Sequence, residues 1–212
     1  MDSSMINHPA DSGAADLSKS SASKAIAIFA SGNGSNAENI IRYFQSNPEK
    51  GKVALVVTNR RNAGVIERAE RLGVECLFLT RDQISDASIL LPILNERGVK
   101  MVVLAGFLLM IPDFLIEAFP NGVINIHPAL LPKFGGKGMY GANVHKAVVK
   151  AGETESGITI HYVSSEYDKG EHLFSASVDL VPEDTPETVE TKIHELERRF
   201  FPAVVAHVLA SL

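Results

Sequence analysis

The fold class can be inferred from the residues AIAIFASGNGSN at positions 25–36. This stretch opens with six apolar residues, enough for one buried strand, and the glycines Gly32 and Gly34 follow at once. An apolar helical pattern then begins at Ile40. A strand, a glycine turn and a helix in this order are typical of the first unit of an α/β domain with a parallel sheet.

The same alternation continues along the chain. Further strands are predicted at 53–57, 76–79, 101–105 and 123–127, with helices around 65–72, 84–94 and 114–119. Strands at 158–163 and 172–181 predict an antiparallel hairpin at one edge. A last helix begins at Thr185 and Pro186 and is kinked or divided at Pro202. We therefore predict an α/β fold with a single doubly wound, mostly parallel, Rossmann-like sheet.

Length and composition limit the domain organisation and the partners. The 212 residues suit one domain, which we assign to 24–212, and the polar residues 1–23 are expected to be a disordered tail or a cloning remnant. That tail lacks the features of a signal peptide, and the longest apolar runs are too short to cross a bilayer. We therefore predict no membrane partner.

Net charge and residue content further limit the partners, the compartment and the chemistry that the sequence predicts. The net charge of −5 argues against a nucleic-acid partner, so small-molecule substrates are expected, with a monomer or a homodimer both open. The single cysteine, Cys76, lies in an apolar stretch, which indicates a buried thiol in a reducing cytoplasm. The histidines lack zinc-site spacing, so no metal is predicted, and no G-x-S-x-G motif supports a serine hydrolase.

The glycine turn is the first candidate site. Residues 32–37 satisfy G-x-G-x-x-A, which brings backbone N–H groups and a helix N-terminus to a possible phosphate, and Ser35 and Asn36 add side-chain donors. A side chain at Gly34 is expected to obstruct that anion. The alternative is a tight turn without a ligand.

A dinucleotide would make a further demand on the second strand. An NAD enzyme should end that strand in Asp or Glu, but here it ends in Thr58 and Asn59. Arg60 and Arg61 could accommodate the extra phosphate of NADP, so an NADP-dependent reductase stays open. A monophosphate ester is the simpler ligand.

The strand Asn125-Ile126-His127-Pro128 is the second candidate site. Residues two apart in a strand share a face, so Asn125 and His127 point the same way, and Pro128 marks the carboxyl end where α/β proteins bind ligands. An amide beside an imidazole can stabilise an oxyanion and move a proton. His161 and Asp168 are candidate partners, although each also has an ordinary structural explanation.

A glycine-rich loop follows this strand. Residues 135–141 contain four glycines, which predicts either a lid over the site or a surface connection.

The stretches SGNGSN at 31–36, LAGF at 104–107, NIHPALLPK at 125–133 and the segment 157–168 occur in order. Together they resemble the phosphoribosylglycinamide formyltransferases, the folate-dependent formyltransferase family also called glycinamide ribonucleotide transformylases. The resemblance covers residues 24–209. It implies transfer of a formyl group from 10-formyltetrahydrofolate to the amine of glycinamide ribonucleotide in purine biosynthesis, without a metal.

The resemblance also implies roles for individual residues. Asn125, His127 and Asp168 correspond to the catalytic residues; the shared strand face separately predicts that these three line one pocket, with His161 as a supporting group. The ribonucleotide and its phosphate would contact Gly34, Ser35, Asn36, His194, Glu195, Leu196 and Glu197. The folate would contact Leu108, Leu109, Met110, Ile111, Asn125, Ser164, Ser165, Glu166, Tyr167 and Asp168.

Two details follow from the resemblance, and one departure limits it. Asp168 is expected to hold His127 in its cationic form, and the Leu131–Pro132 peptide bond is expected to be cis. Many members have Arg where this chain has Leu109, so only backbone contacts to folate are expected there. A formyltetrahydrofolate deformylase, whose relatives carry an additional N-terminal domain, remains the alternative within this fold.

Overall fold

The computed structural model describes residues 24–212, and the tail expected at 1–23 lies outside the described residues. Its strands are β1 Ala25–Phe29, β2 Lys52–Thr58, β3 Cys76–Phe78, β4 Val99–Leu104, β5 Val123–His127, β6 Glu155–Tyr162 and β7 His172–Asp179. Its helices are α1 Ser35–Ser46, α2 Gly64–Arg71, α3 Arg81–Ile84, α4 Ala87–Glu96, α5 Asp113–Ala118, α6 Ala142–Ala151 and α7 Pro186–Ser211, with a 3₁₀ turn at Pro48–Lys50.

The strands form one sheet in the order β3-β2-β1-β4-β5-β6-β7. Strands β1 to β5 run parallel, whereas β6 is antiparallel to both β5 and β7. This arrangement confirms the predicted doubly wound sheet with an antiparallel hairpin at one edge. The strand order reverses between β1 and β4, where such sheets bind ligands at the strands' carboxyl ends.

Alternating side chains of each strand enter two separate cores. Ile26 and Ile28 of β1 pack with α1, α2, α6 and α7 on one face of the sheet. Ala27 and Phe29 pack with α3, α4 and α5 on the other. Because both faces of β1 are covered, its sequence is continuously apolar rather than alternating.

The helices differ from the sequence prediction in three places. The helix predicted at 84–94 is two helices, because Thr80 caps α3 and Asp86 starts α4 by accepting a hydrogen bond from the Ser88 amide. Helix α6 has no counterpart in the prediction. The last helix is continuous through Pro202 and not divided there.

A side-chain contact supports the helix at Pro202. Proline has no N–H for the carbonyl four residues earlier, which belongs to Arg198. That carbonyl instead accepts a hydrogen bond from Asn39 Nδ2 of α1, at 2.9 Å. The Asn39 side chain therefore replaces the missing backbone donor.

The connection after β5 is anchored on β6. The Leu131 amide donates to Thr159 Oγ1, and that hydroxyl donates to the Ala129 carbonyl. The Leu131–Pro132 peptide bond is cis, as expected. Across residues 24–212, every helix is too short or too polar to cross a membrane.

Close packing in β6 gives the first testable prediction. A Cβ at Gly157 would lie 2.1 Å from the Ala176 carbonyl oxygen of β7 and 2.6 Å from Leu130. Gly157→Ala should therefore lower the free energy of unfolding by about 1–3 kcal/mol, the usual cost of overpacking. Urea denaturation followed by circular dichroism measures this change.

The neighbouring residue supplies the control. Ser156 is buried and its Oγ has no hydrogen-bond partner among the described residues. Removing an unpaired buried hydroxyl is close to neutral or stabilising, so Ser156→Ala should not lower stability. Equal unfolding free energies for Gly157→Ala and Ser156→Ala would contradict the packing argument.

Candidate active site

A cavity of about 670 Å³ opens at the carboxyl ends of β1, β4 and β5. The turn after β1 and the segment after β4 form one side of it. The end of β5, the glycine-rich loop 135–141 and parts of α6 and α7 complete it. The cavity therefore lies where the strand order reverses.

The turn after β1 is held from two directions. Ser31 Oγ donates to Asn59 Oδ1 at 2.6 Å and accepts from the Leu108 amide at 3.0 Å, which joins the turn to the segment after β4. Arg68 of α2 donates to the carbonyl and the side-chain oxygen of Asn33. The turn thus presents the N-terminus of α1, with Ser35 and Asn36 in its first turn, to the cavity.

Gly34 is required for a reason that differs from the expected one. It caps α1 with a left-handed φ of 81°, which favours glycine. An added Cβ would lie 2.6 Å from Val65 of α2. A side chain here would therefore collide with α2 whether or not the turn also holds an anion, and the expected obstruction of an anion stays a prediction.

Asn125 and His127 share one face of β5, as predicted, and both line the cavity. The antiparallel register places Asn125 opposite His161 of β6. Asn125 Nδ2 lies 3.1 Å from His161 Nε2. Both imidazoles, of His127 and His161, are almost fully buried.

Asp168 reaches both histidines from the loop between β6 and β7. Its Oδ2 lies 3.5 Å from His127 Nδ1, and its Oδ1 lies 3.6 Å from His161 Nε2. Oδ2 also accepts a 2.8 Å hydrogen bond from the Gly136 amide. The glycine-rich loop therefore contacts the carboxylate directly, and the four predicted side chains converge.

The charge state of His127 differs from the expected one. Burial lowers its pKa below the ordinary value of 6.5, and the opposing effects of the Asp168 carboxylate and the Phe134 carbonyl do not reverse this. Its Nε2 lies 2.8 Å from the Phe134 carbonyl oxygen, so the proton of the neutral ring belongs on Nε2. His127 is thus neutral near pH 7, with Nδ1 free to accept a proton beside Asp168.

Asp168 itself remains ionised. Burial would raise its pKa, but the His161 and Gly136 contacts outweigh burial and lower it. A proton arriving on His127 Nδ1 would therefore face a carboxylate, which stabilises the imidazolium. The pair can hold a proton transiently, which is what an acid–base centre requires.

The predicted folate segments lie at the same cavity. Leu108, Leu109, Met110 and Ile111 line it, as do Ser164, Glu166 and Tyr167, whereas Ser165 is exposed and lies outside the lining residues.

Residues 194–197 of α7 were predicted to bind the ribonucleotide, but only those on one face of the helix reach the cavity. His194 and Glu197, three residues apart, line it, whereas Glu195 and Leu196 do not. Glu197 is buried and accepts a 2.9 Å hydrogen bond from Asn36 Nδ2, so α7 contacts the turn at α1. Burial raises the pKa of Glu197.

Two residues that line the cavity were not identified as site residues from the sequence. His145 lies on the unpredicted helix α6, and Glu190 lies one helical turn before His194. Helical spacing from His194 could have identified Glu190. No group of three or more His, Cys, Asp or Glu side chains within 24–212 is arranged to hold a metal ion.

Known proteins match this sequence and fold. The sequence pattern of the formyl transferase family matches residues 24–205. The chain is 41% identical over 191 residues to the chloroplastic phosphoribosylglycinamide formyltransferase of Arabidopsis thaliana, covering 87% of this chain and 65% of that protein. It is 35% identical to the phosphoribosylglycinamide formyltransferase of Bacillus subtilis, covering 88% of this chain and 95% of that protein. The chain thus spans just under two thirds of the plant relative and nearly all of the bacterial one.

A solved structure agrees with the sequence matches. The crystal structure of glycinamide ribonucleotide transformylase 1 from Symbiobacterium toebii has a TM-score of 0.81 with this fold, at 29% identity, and the match covers 89% of each chain.

Burial of the histidines predicts a pH dependence of stability. Burial lowers the pKa values of His127 and His145, so near pH 6.5 these two side chains bind more protons in the unfolded chain than in the folded one. Their contribution to the free energy of unfolding should therefore fall as the pH is lowered from about 7.5 to about 5.5, whereas the raised pKa of Glu197 acts in the opposite direction. Urea denaturation at several pH values measures the slope.

Replacing His127 isolates the contribution of this side chain to the pH dependence of the free energy of unfolding. His127→Asn should make the slope shallower, whereas His207→Asn, on an exposed position of α7, should leave it unchanged. A slope that is identical in the parent protein and His127→Asn would contradict the assigned neutral state.

Proposed function

The chain belongs to the formyl transferase family, and from that premise we propose that it transfers the formyl group of 10-formyltetrahydrofolate to the amine of glycinamide ribonucleotide, in de novo purine biosynthesis. The names of its relatives, phosphoribosylglycinamide formyltransferases, support formyl transfer to this ribonucleotide. The observation that carries the proposal is one cavity lined both by a cluster of an amide, two imidazoles and a carboxylate and by the N-terminus of a helix. A reactive centre and an anion site then serve one bound substrate.

Each residue of the site has a separate role in the proposed reaction. The substrate amine attacks the formyl carbon, and the C=O electrons move onto oxygen to give a tetrahedral oxyanion. Asn125 donates its amide N–H to that oxygen. His127 takes the amine proton at Nδ1 and becomes an imidazolium that stabilises the oxyanion, while Asp168 stabilises the imidazolium.

Collapse of the intermediate returns the proton. The oxyanion re-forms the carbonyl, the bond from carbon to the folate nitrogen breaks, and that nitrogen takes the proton held by His127 and Asp168, directly or through one water. His161 contacts both Asn125 and Asp168, so it acts as the supporting group that orients them. The products are the formylated ribonucleotide and tetrahydrofolate.

The ribonucleotide would lie along α1 and α7. Its phosphate would accept hydrogen bonds from the N-terminus of α1, with Gly34, Ser35 and Asn36 forming the turn. His194 and Glu197 would contact the remainder of the ribonucleotide from α7.

The folate would occupy the more apolar part of the cavity. The segments 108–111 and 164–168 would frame the pterin through backbone groups, which suits the presence of Leu109 rather than Arg. Met110, Tyr140 and Tyr167 are large apolar side chains exposed at the same cavity. They would cover the aromatic part of the folate.

The proposal also includes the domain organisation, the compartment and the oligomeric state. Residues 24–212 form one formyltransferase domain that acts in the cytoplasm on small-molecule substrates, as a monomer or a homodimer. Sedimentation equilibrium would distinguish the two oligomeric states.

A tetrahydrofolate-release assay tests the reaction. Absorbance should report tetrahydrofolate only when 10-formyltetrahydrofolate and glycinamide ribonucleotide are both present. Equal release without the ribonucleotide would instead support a deformylase. Thermal stabilisation by NADPH, with none by the ribonucleotide, would support a reductase.

His127→Ala should lower kcat by on the order of 10²- to 10⁴-fold, the usual contribution of a positioned acid–base or oxyanion group. Steady-state kinetics measures the loss, after circular dichroism verifies folding. His207→Ala is the matched control, and a kcat for His127→Ala within about twofold of that control would refute the catalytic role.

Ser35→Asp tests the phosphate site without the collision expected at Gly34. An acidic residue is compatible with the first turn of α1, but its charge would repel a phosphate there. The ribonucleotide KM should rise at least about tenfold, because like charges in contact cost several kcal/mol, while the folate KM stays nearly unchanged. Ser35→Asn introduces a side chain of the same shape as Ser35→Asp but without the charge, so it should raise the ribonucleotide KM much less. Equal KM values for the two variants would exclude an anion at this turn.

A further inference from the structure

His145 is one of the four histidines that line the cavity, and the proposed reaction gives it no role. It lies on the buried face of α6 and is only 3% exposed. Its Nδ1 is sealed from solvent and has no hydrogen-bond partner among residues 24–212. An unpaired buried nitrogen costs free energy, so its presence in an active-site cavity requires an explanation.

The unpaired atom determines which tautomer the ring adopts. A neutral imidazole carries one N–H, and a buried N–H without an acceptor is the less favourable atom to leave unpaired. The proton therefore belongs on Nε2, and Nδ1 carries the lone pair. Nε2 is then the polar hydrogen through which the ring can meet a ligand.

The surroundings keep the ring neutral. Burial lowers the pKa of His145, the nearby charge of Glu190 opposes this, and His194 and His127 act in the same direction as burial. A second proton would have to bind to Nδ1, which has no hydrogen-bond acceptor beside it among the described residues. His145 is thus suited to donate one hydrogen bond and not to carry charge.

The position of His145 identifies the ligand. Helix α6 packs against α7, and Glu190 and His194, one turn apart on α7, line the same cavity and lie near enough to His145 to influence its pKa. On the basis of the proposed function, we propose that His145 is an additional ribonucleotide-binding residue whose Nε2–H donates to an oxygen atom of glycinamide ribonucleotide. The proposed hydrogen bond involves the ribonucleotide and not the folate.

Matched substitutions test the contact. His145→Phe keeps a planar ring without a donor, so the Kd and KM for glycinamide ribonucleotide should rise roughly three- to tenfold, the worth of one net hydrogen bond. His145→Gln can supply an N–H near the Nε2 position and should recover part of the loss. The folate KM and kcat should stay within about twofold, and His207→Phe should match the parent protein.

Calorimetry separates this inference from the proposed function. If the parent protein binds no glycinamide ribonucleotide, the proposed function fails and the role of His145 fails with it. If the parent binds and His145→Phe binds equally well, only the His145 inference is overturned.

NMR gives a readout that a purely structural role would not change. In ¹⁵N-histidine-labelled protein, the resonance missing from His145→Gln identifies the ring. It should have the Nε2–H tautomer, and the Nε2 resonance should move when the ribonucleotide is added. An Nδ1–H tautomer, or an Nε2 resonance that ignores the saturating ribonucleotide, would overturn the inference.

Discussion

The antiparallel pairing of β5 with β6 determines which side chains can meet in this protein. It sets Asn125 opposite His161, and the amide and the imidazole contact each other directly. A slip of one residue would turn every side chain of β6 to the other face of the sheet. The anchoring of the 129–131 segment on Thr159 of β6 opposes such a slip.

Around that pair, the structure buries polar groups and satisfies them with one another. Asp168 adopts a left-handed φ of 55°, unusual for a residue with a side chain, and its oxygens face two imidazoles and a backbone amide. The local backbone strain is offset by these contacts. The result is a carboxylate that stays charged next to a histidine that stays neutral, which is the asymmetry that proton transfer needs.

Much of this architecture was readable from the sequence, because local patterns encode it. The continuous apolar run of β1 and the two-residue spacing of Asn125 and His127 reflect the geometry of a single strand. Helix α6 was missed, since it follows a glycine-rich loop, and His145 was missed with it. The neutral state of His127 depends on burial by distant segments, which no local pattern contains.

The hydroxyl of Ser31 has a thermodynamic consequence. It joins the turn that begins α1 to the segment that follows β4 by accepting a hydrogen bond from the Leu108 amide, and residues of both segments line the cavity. A ligand whose binding displaced one segment would disturb this hydrogen bond and so change the free energy of the other segment. Linkage requires the effect to be reciprocal: if the ligand at the turn tightens binding at the second segment by some factor, the second ligand tightens binding at the turn by the same factor. One buried oxygen atom would thus make two subsites a single cooperative unit.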